Sequence, residues 1–216
     1  MTGKLLDIIG NELKLTPVDC GEFATRKVSG MNFRISAWNA EGFGRVSLMQ
    51  VSGMLGLMKM QTLIVNPFEV DAPLLSYDRI EAMGNDTLML EPFDTTLGTG
   101  SFDESALVNM KANTADLPDR DAAPCWYDGM RLPSTIDVKC KKKDTARLDE
   151  ITESYFEAYL RAAKAAASCD PEAKKIRAAA YSNGLIDQGG PATDPFVKTY
   201  GAENTREFFR TVLFGV

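Results

Sequence analysis

Four β-runs in close succession, Val46–Ser52, Leu57–Val65, Leu74–Ala82 and Thr87–Phe93, constrain this chain more than any other feature. Gly53 and Gly56 punctuate the first joint, Asn66-Pro67 and Asp71-Ala72-Pro73 the second, and Gly84-Asn85-Asp86 the third. Glycine, proline and asparagine at those places break the runs and favour turns. Joints this short cannot hold a crossover helix, so neighbouring strands are expected to pair antiparallel. In the third run, period-two alternation sets Leu74, Ser76, Asp78, Ile80 and Ala82 on one face and Leu75, Tyr77, Arg79 and Glu81 on the other. The first of these faces carries a single carboxylate, Asp78. A lone carboxyl among aliphatic neighbours is hydrogen-bonded, wet, or held at a raised pKa for chemistry.

The rest of the chain supplies covers for such a sheet. Leu5, Leu6, Ile8, Ile9 and Leu13 recur at helical spacing, so Met1 to Leu15 reads as an amphipathic helix. Phe23 to Ala40 reads as one or two further strands broken by Gly30. Ser101 to Glu104 fits a capping box ahead of a short helix. Residues Leu117 to Pro133, with Trp126 and Tyr127 embedded, form a long loop that is either a functional rim or a wrap over the core. Arg147 to Ser168 carries a helical stripe through Leu148, Ile151, Tyr155 and Tyr159. Asp170-Pro171-Glu172 starts another helix that Asn183-Gly184 is expected to end. Gln188 to Pro191 reads as a flexible joint. Asp194-Pro195 repeats the N-cap signature before a final amphipathic helix through Phe208, Phe209, Val212 and Leu213. One helix, five or six antiparallel strands, then helices is the α+β pattern, with helices on both faces of the sheet. Residues 1–216 are expected to form a single domain.

Composition removes whole classes of chemistry. The chain has no histidine, so Ser-His-Asp and Cys-His catalysis, imidazole-ligated haem and H-E-x-x-H metalloproteases are excluded. Cys20, Cys125, Cys140 and Cys169 lie far apart without a C-x-x-C pair, so no metal site is expected. Proton transfer must rest on Asp, Glu, Tyr, Lys, Cys or water. A net charge of −6 argues against a nucleic-acid binder. No phosphate loop or G-x-G-x-x-G is present. The longest charge-free apolar run is too short to span a bilayer and no signal peptide is evident, so a cytoplasmic protein away from membranes is expected. Lys139, Lys141, Lys142, Lys143 and Arg147 form a local basic run. It is either a solvated edge leading into a helix or a docking patch for a small acidic protein.

The string Pro67-Phe68-Glu69-Val70-Asp71-Ala72-Pro73-Leu74-Leu75-Ser76-Tyr77-Asp78 resembles the P…D-x-P-x-x-x-x-D signature of the ferredoxin-dependent bilin reductases, a superfamily that includes the red chlorophyll catabolite reductases. Asp194-Pro195, Tyr200-Gly201 and Phe208 to Phe214 resemble that family's ending. The likeness runs from about Phe33 onward. It implies an α/β/α sandwich with a central antiparallel sheet. It also implies reduction of a linear tetrapyrrole such as biliverdin through radical states. Electrons come singly from ferredoxin or flavodoxin, and no flavin, metal or nicotinamide is bound. By the same resemblance Asp78 matches the proton-donating aspartate, and Asp194 a second aspartate that reaches the substrate. Gln50 stands where some members have a catalytic glutamate, and Thr62 where they have a histidine.

If Gln50 and Thr62 share the Asp78 face, three polar groups converge in a pocket lined by residues such as Met60, as a flat pigment requires. The Met-rich stretch Met49, Met54, Met58 and Met60 also suits core filling. Arg131 is a candidate anchor for a propionate. Glu91 and Asp94 read as exposed strand-end residues. Because Gln50 and Thr62 replace ionisable groups, a non-enzymatic tetrapyrrole carrier is the alternative to a reductase. An interaction module that has lost the pocket is a third reading.

Overall fold

The β-runs fold into a meander, and the computed structural model describes residues 2–53, 56–190 and 193–216. Met1, Met54 and Pro191 lie outside the described residues. The strands are β1 (Leu15–Val18), β2 (Thr25–Val28), β3 (Met31–Ala40), β4 (Gly44–Gly53), β5 (Met58–Pro67), β6 (Leu74–Ala82), β7 (Asn85–Phe93) and β8 (Ile136–Lys141). They form one sheet in the order β1-β3-β4-β5-β6-β7-β8, with β2 also beside β3. Every pairing is antiparallel. The short joints thus act as expected.

The sheet has eight strands where the sequence predicts five or six. β1 is four residues long with Pro17 inside it, a pattern that merges with the tail of the first helix. β8 alternates buried Ile136, Val138 and Cys140 with charged or partly exposed Asp137, Lys139 and Lys141. Its lysines read as a solvated edge, yet the period-two burial is that of a half-covered strand.

The helices are α1 (Thr2–Glu12), α2 (Ser105–Ala112), α3 (Thr145–Ala165), α4 (Pro171–Asp187), α5 (Asp194–Tyr200) and α6 (Ala202–Phe208), followed by a π-helical turn over Phe209–Phe214. On one sheet face Leu5, Ile9, Tyr155, Phe156 and Tyr159 pack on Leu48, Leu63, Leu75 and Tyr77. On the other, Phe196, Phe208, Phe209 and Phe214 pack on Phe33, Ile35, Met49 and Ile64. Each fully buried aromatic or aliphatic side chain contributes roughly 1.5–3 kcal/mol, so both covers stabilise the sheet substantially. This is the α/β/α sandwich of the α+β class.

Two local expectations give way to tertiary packing. Gly184 does not end its helix, since α4 continues to Asp187. It is a seat: a β-carbon there would collide with the indole ring of Trp126, so the loop ring lies directly on the helix backbone. Asp194 is not an N-cap. It is the first residue of α5, and its Oδ1 accepts the Gly190 N–H at 2.9 Å. The turn Phe209–Phe214 is held from the sheet: Arg45 donates to the Thr211 and Val212 carbonyls, Ser47 to Leu213 and Asn66 to Phe214.

Candidate active site

Cross-strand register sets Ile35, Met49, Thr62, Asp78, Met89 and Asp137 in one row across β3 to β8. The next row on that face, beneath α4 and the π-helical turn, is Ala37, Ser47, Ile64, Ser76 and Glu91. Thr62 and Asp78 are therefore direct cross-strand neighbours, and the Thr62 hydroxyl donates to Asp78 Oδ1. Ser76, two residues away along β6, donates to Asp78 Oδ2 at 3.3 Å. Burial raises the Asp78 carboxyl above the ordinary carboxylate range; the Thr62 and Ser76 hydroxyls and, farther off, Arg120 oppose the shift, and Asp137 adds to it. Only hydroxyl donors touch Asp78 among the described residues, so no cation in direct contact cancels the effect of burial.

Glu91 is not the exposed strand-end residue its place in the sequence suggests. It is buried, at 5 % exposure, while its neighbour Asp94 is exposed as expected. Alternation places Glu91 with Thr87, Met89 and Phe93 on the Asp78 face, and the loop before β8 covers it. Arg131 from that loop donates Nε to Glu91 Oε1 at 2.7 Å, with Nη2 at 2.5 Å from the same oxygen. Among the described residues no group donates to the other oxygen, Oε2. Burial pushes the Glu91 carboxyl up to about 7; Arg131 pulls it down, and Asp78 and Asp137 push it further up.

Asp78 and Glu91 line one cavity of 120 Å3 between the sheet and the C-terminal helices, together with Thr62, Ser76, Tyr127, Tyr181 and Phe214. An outer cleft of 360 Å3, lined by Trp126, Cys125 and Gln188 among others, shares Tyr127, Leu185 and Thr193 with it. Tyr181 packs on Phe93 at 4.4 Å between ring centres, with Tyr127 and Trp126 edge-on or tilted beside it. The long loop is thus a rim. A separate hollow of 320 Å3 lies at the far ends of β3 to β5, lined by Gln50, Met60, Arg34 and Lys59 among others and by no carboxylate. It is larger than the inner cavity, but the two carboxyls that burial raises both line the inner one.

No family model and no curated protein matches the sequence. Among solved structures the chain superposes on phytochromobilin synthase from tomato, crystallised in complex with biliverdin, with a TM-score of 0.77. The superposition covers 99% of this chain and 81% of the synthase at 11% sequence identity. The chain has the bilin reductase fold.

On that fold the residues singled out from the sequence separate into three groups. Asp78 and Thr62 meet, as expected. Gln50 does not join them: it pairs with Gln61 while Met49 pairs with Thr62, so Gln50 points to the opposite face of the sheet. The convergence of three polar groups fails by a single residue of strand parity. Met60 shares the Asp78 face but pairs with Ile80, one row away, and lines the 320 Å3 hollow rather than the inner cavity. Arg131 stands beside the cavity wall, but its guanidinium is committed to Glu91 and Asp128, the latter at 2.6 Å, rather than free to anchor a propionate. Asp194 is exposed and holds the Gly190 backbone; Thr193 beside it is the residue that lines the cavity. Among the described residues no helix is long and apolar enough to cross a membrane.

Proposed function

We propose that this protein binds a linear tetrapyrrole against the Asp78 face and reduces it with single electrons from a ferredoxin-like or flavodoxin-like donor, Asp78 supplying a proton. The observation that carries this reading is the placement of Asp78: a carboxyl met directly by two hydroxyls, lining one cavity with Glu91, Tyr127, Tyr181 and Phe214, with burial raising it above the ordinary carboxylate range. The tomato synthase of the same fold was crystallised with biliverdin, which supports a bilin as the ligand class. The inner cavity alone is smaller than the roughly 300–1,000 Å3 of ordinary ligand sites. The adjoining cleft supplies the rest, with Tyr127 and Leu185 as the partition that must give way when pigment enters. Aromatic faces suit a flat conjugated ring system, and a pigment that itself carries unpaired electrons needs no bound flavin or metal.

Electron delivery fits the edge of β8. Lys139, Lys141, Lys142 and Lys143 are exposed there, with Arg147 nearby and paired to Asp116. Such a patch steers a small acidic protein to this edge and sets its orientation.

Anaerobic incubation with biliverdin and a reduced ferredoxin system tests the proposal directly by visible absorption. A shift toward shorter wavelength is expected as conjugation is interrupted. An intact fold that leaves every linear tetrapyrrole unchanged sinks the reading, and tight binding without electron uptake leaves a carrier in its place. Asp78→Asn is expected to bind pigment and to slow reduction by roughly 10²-fold or more, the usual worth of a general acid. Normal turnover by that variant removes the role assigned to Asp78.

A further inference from the structure

We propose that Glu91 is the second proton donor of the reaction, with Arg131 as the residue that positions it and receives its charge. This rests on the reading of the site as one that reduces a bilin. Removing one double bond from a bilin takes two electrons and two protons. The electrons arrive one at a time from two molecules of a reduced one-electron donor, each of which is oxidised. Asp78 breaks its O–H bond to supply the first proton and becomes a carboxylate. A second group must break an O–H bond once the second electron has arrived. Both carboxylates then regain protons from solvent.

The structure narrows that second group. Asp194, the candidate from sequence, is exposed and bonded to the Gly190 backbone, and it does not line the inner cavity. Glu91 does line it. It sits on the strand beside Asp78, opposite Ser76, which makes it the diagonal neighbour of Asp78 across the β6–β7 pair. Diagonal neighbours lie about 7 Å apart at the backbone, within reach of one conjugated ligand. Its Oε1 is occupied by Arg131 and its Oε2 accepts nothing from the described residues, so one oxygen is anchored while the other is open for a proton.

The two carboxyls have complementary surroundings. Asp78 is met directly by neutral hydroxyls and by no cation, and burial raises it above the ordinary carboxylate range. Glu91 is met by a guanidinium, so the carboxylate left after transfer is neutralised in place. The charged and titratable groups around Glu91 are Arg131 and, farther off, Arg120, Asp78, Asp137 and Tyr127, with Tyr181 on α4. Burial sets the Glu91 carboxyl near 7, which leaves it part-protonated at neutral pH.

Stopped-flow absorption and electron spin resonance on the whole chain, under anaerobic single-turnover conditions with biliverdin and reduced ferredoxin, test this. Glu91→Gln is expected to form the pigment radical as the unaltered chain does, and to pass from radical to product roughly 10²-fold more slowly. In the unaltered chain that second step is expected to slow as pH rises through about 7, and in Glu91→Gln the slowing disappears. Glu91→Asp restores part of the rate. If Glu91→Gln reaches product within twofold of the unaltered rate and keeps the same pH limb, the inference is overturned while bilin reduction stands. Should Glu91→Gln fail to fold, infrared spectroscopy of pigment-bound Asp78→Asn serves instead. A protonated carboxyl band that fades with a midpoint near pH 7 supports Glu91, and absence of such a band overturns it. An unaltered chain that reduces no bilin overturns the functional reading and this inference together.

Discussion

Each face of the sheet buries an arginine–carboxylate pair, and the two pairs are built differently. Under α3, Arg79 binds Asp86 through Nε and, at 2.7 Å, Nη2, and Thr145 donates to Asp86 Oδ2 at 2.6 Å. Both side chains are almost wholly enclosed, and both Asp86 oxygens are engaged. Under α4, Arg131 engages only one oxygen of Glu91, and the other is left beside a cavity shared with a second carboxyl. A buried pair with all its acceptors filled fixes a hairpin to a helix. A buried pair with one acceptor open and like charge nearby can take up and release a proton. An arginine with a carboxylate is therefore a closed anchor on one face and leaves an open acceptor on the other, and the number of hydrogen bonds makes the difference.

That contrast can be tested at decreasing scale. Arg79→Ala strands a buried Asp86 charge and should cost about 3–5 kcal/mol in urea unfolding. Arg131→Ala should cost about half as much or less, since Glu91 at neutral pH can answer the loss by keeping its proton. Equal losses from the two variants break the comparison. Next comes the pH dependence of stability. The folded Glu91 carboxyl titrates near 7, against 4.5 for an ordinary glutamate. The native state thus binds more protons than the unfolded chain between those values. Stability owed to Glu91 is full below about pH 4.5 and is lost as pH rises through about 7, by an amount on the order of 3 kcal/mol. Melting curves of the unaltered chain and Glu91→Gln should converge on different slopes across that window; parallel curves would show that Glu91 is not shifted. The smallest effect belongs to Gln50→Ala. With its side chain on the far face, pigment reduction should change less than about twofold, well short of the general-acid scale. Thr62→Val, which removes a hydrogen bond from the Asp78 carboxylate form, should raise the apparent pKa of the Asp78 step instead.

What the sequence shows and what it hides divide along contact range. β6 spans Leu74–Ala82 as its alternation predicts, and the faces follow, because short turns fix antiparallel neighbours. Asp78 and Thr62 meet for the same reason. Gln50 enters by resemblance alone, and its face follows from the register of β4 on β5, which residue types do not determine to a single position. Glu91 reads as an exposed strand end because Glu-Pro-Phe-Asp looks like a strand giving out into solvent. Its partner Arg131 lies 40 residues further on, in a loop without periodicity. One local signal was available: Thr87, Met89 and Phe93 share its face, and a carboxyl among those is as anomalous as Asp78 among leucines. Gly184 misled in a similar way, since its role is set by Trp126 from the same distant loop.

The stitched carbonyls of the Phe209–Phe214 turn have a consequence for assembly. Arg45, Ser47 and Asn66 reach partners 148 to 167 positions away along the chain. Those contacts close loops that take in most of the chain, so the entropy of closing them must be met before the contacts stabilise anything. The hairpins of the meander rest on nearer contacts, such as Thr62 with Asp78 16 positions on, whereas the α1–α3 cover closes loops of similar length, Lys4 reaching Glu153 across 149 positions. The roof of the carboxylate cavity is thus tied to the sheet by contacts that span most of the chain, unlike the hairpins beneath it.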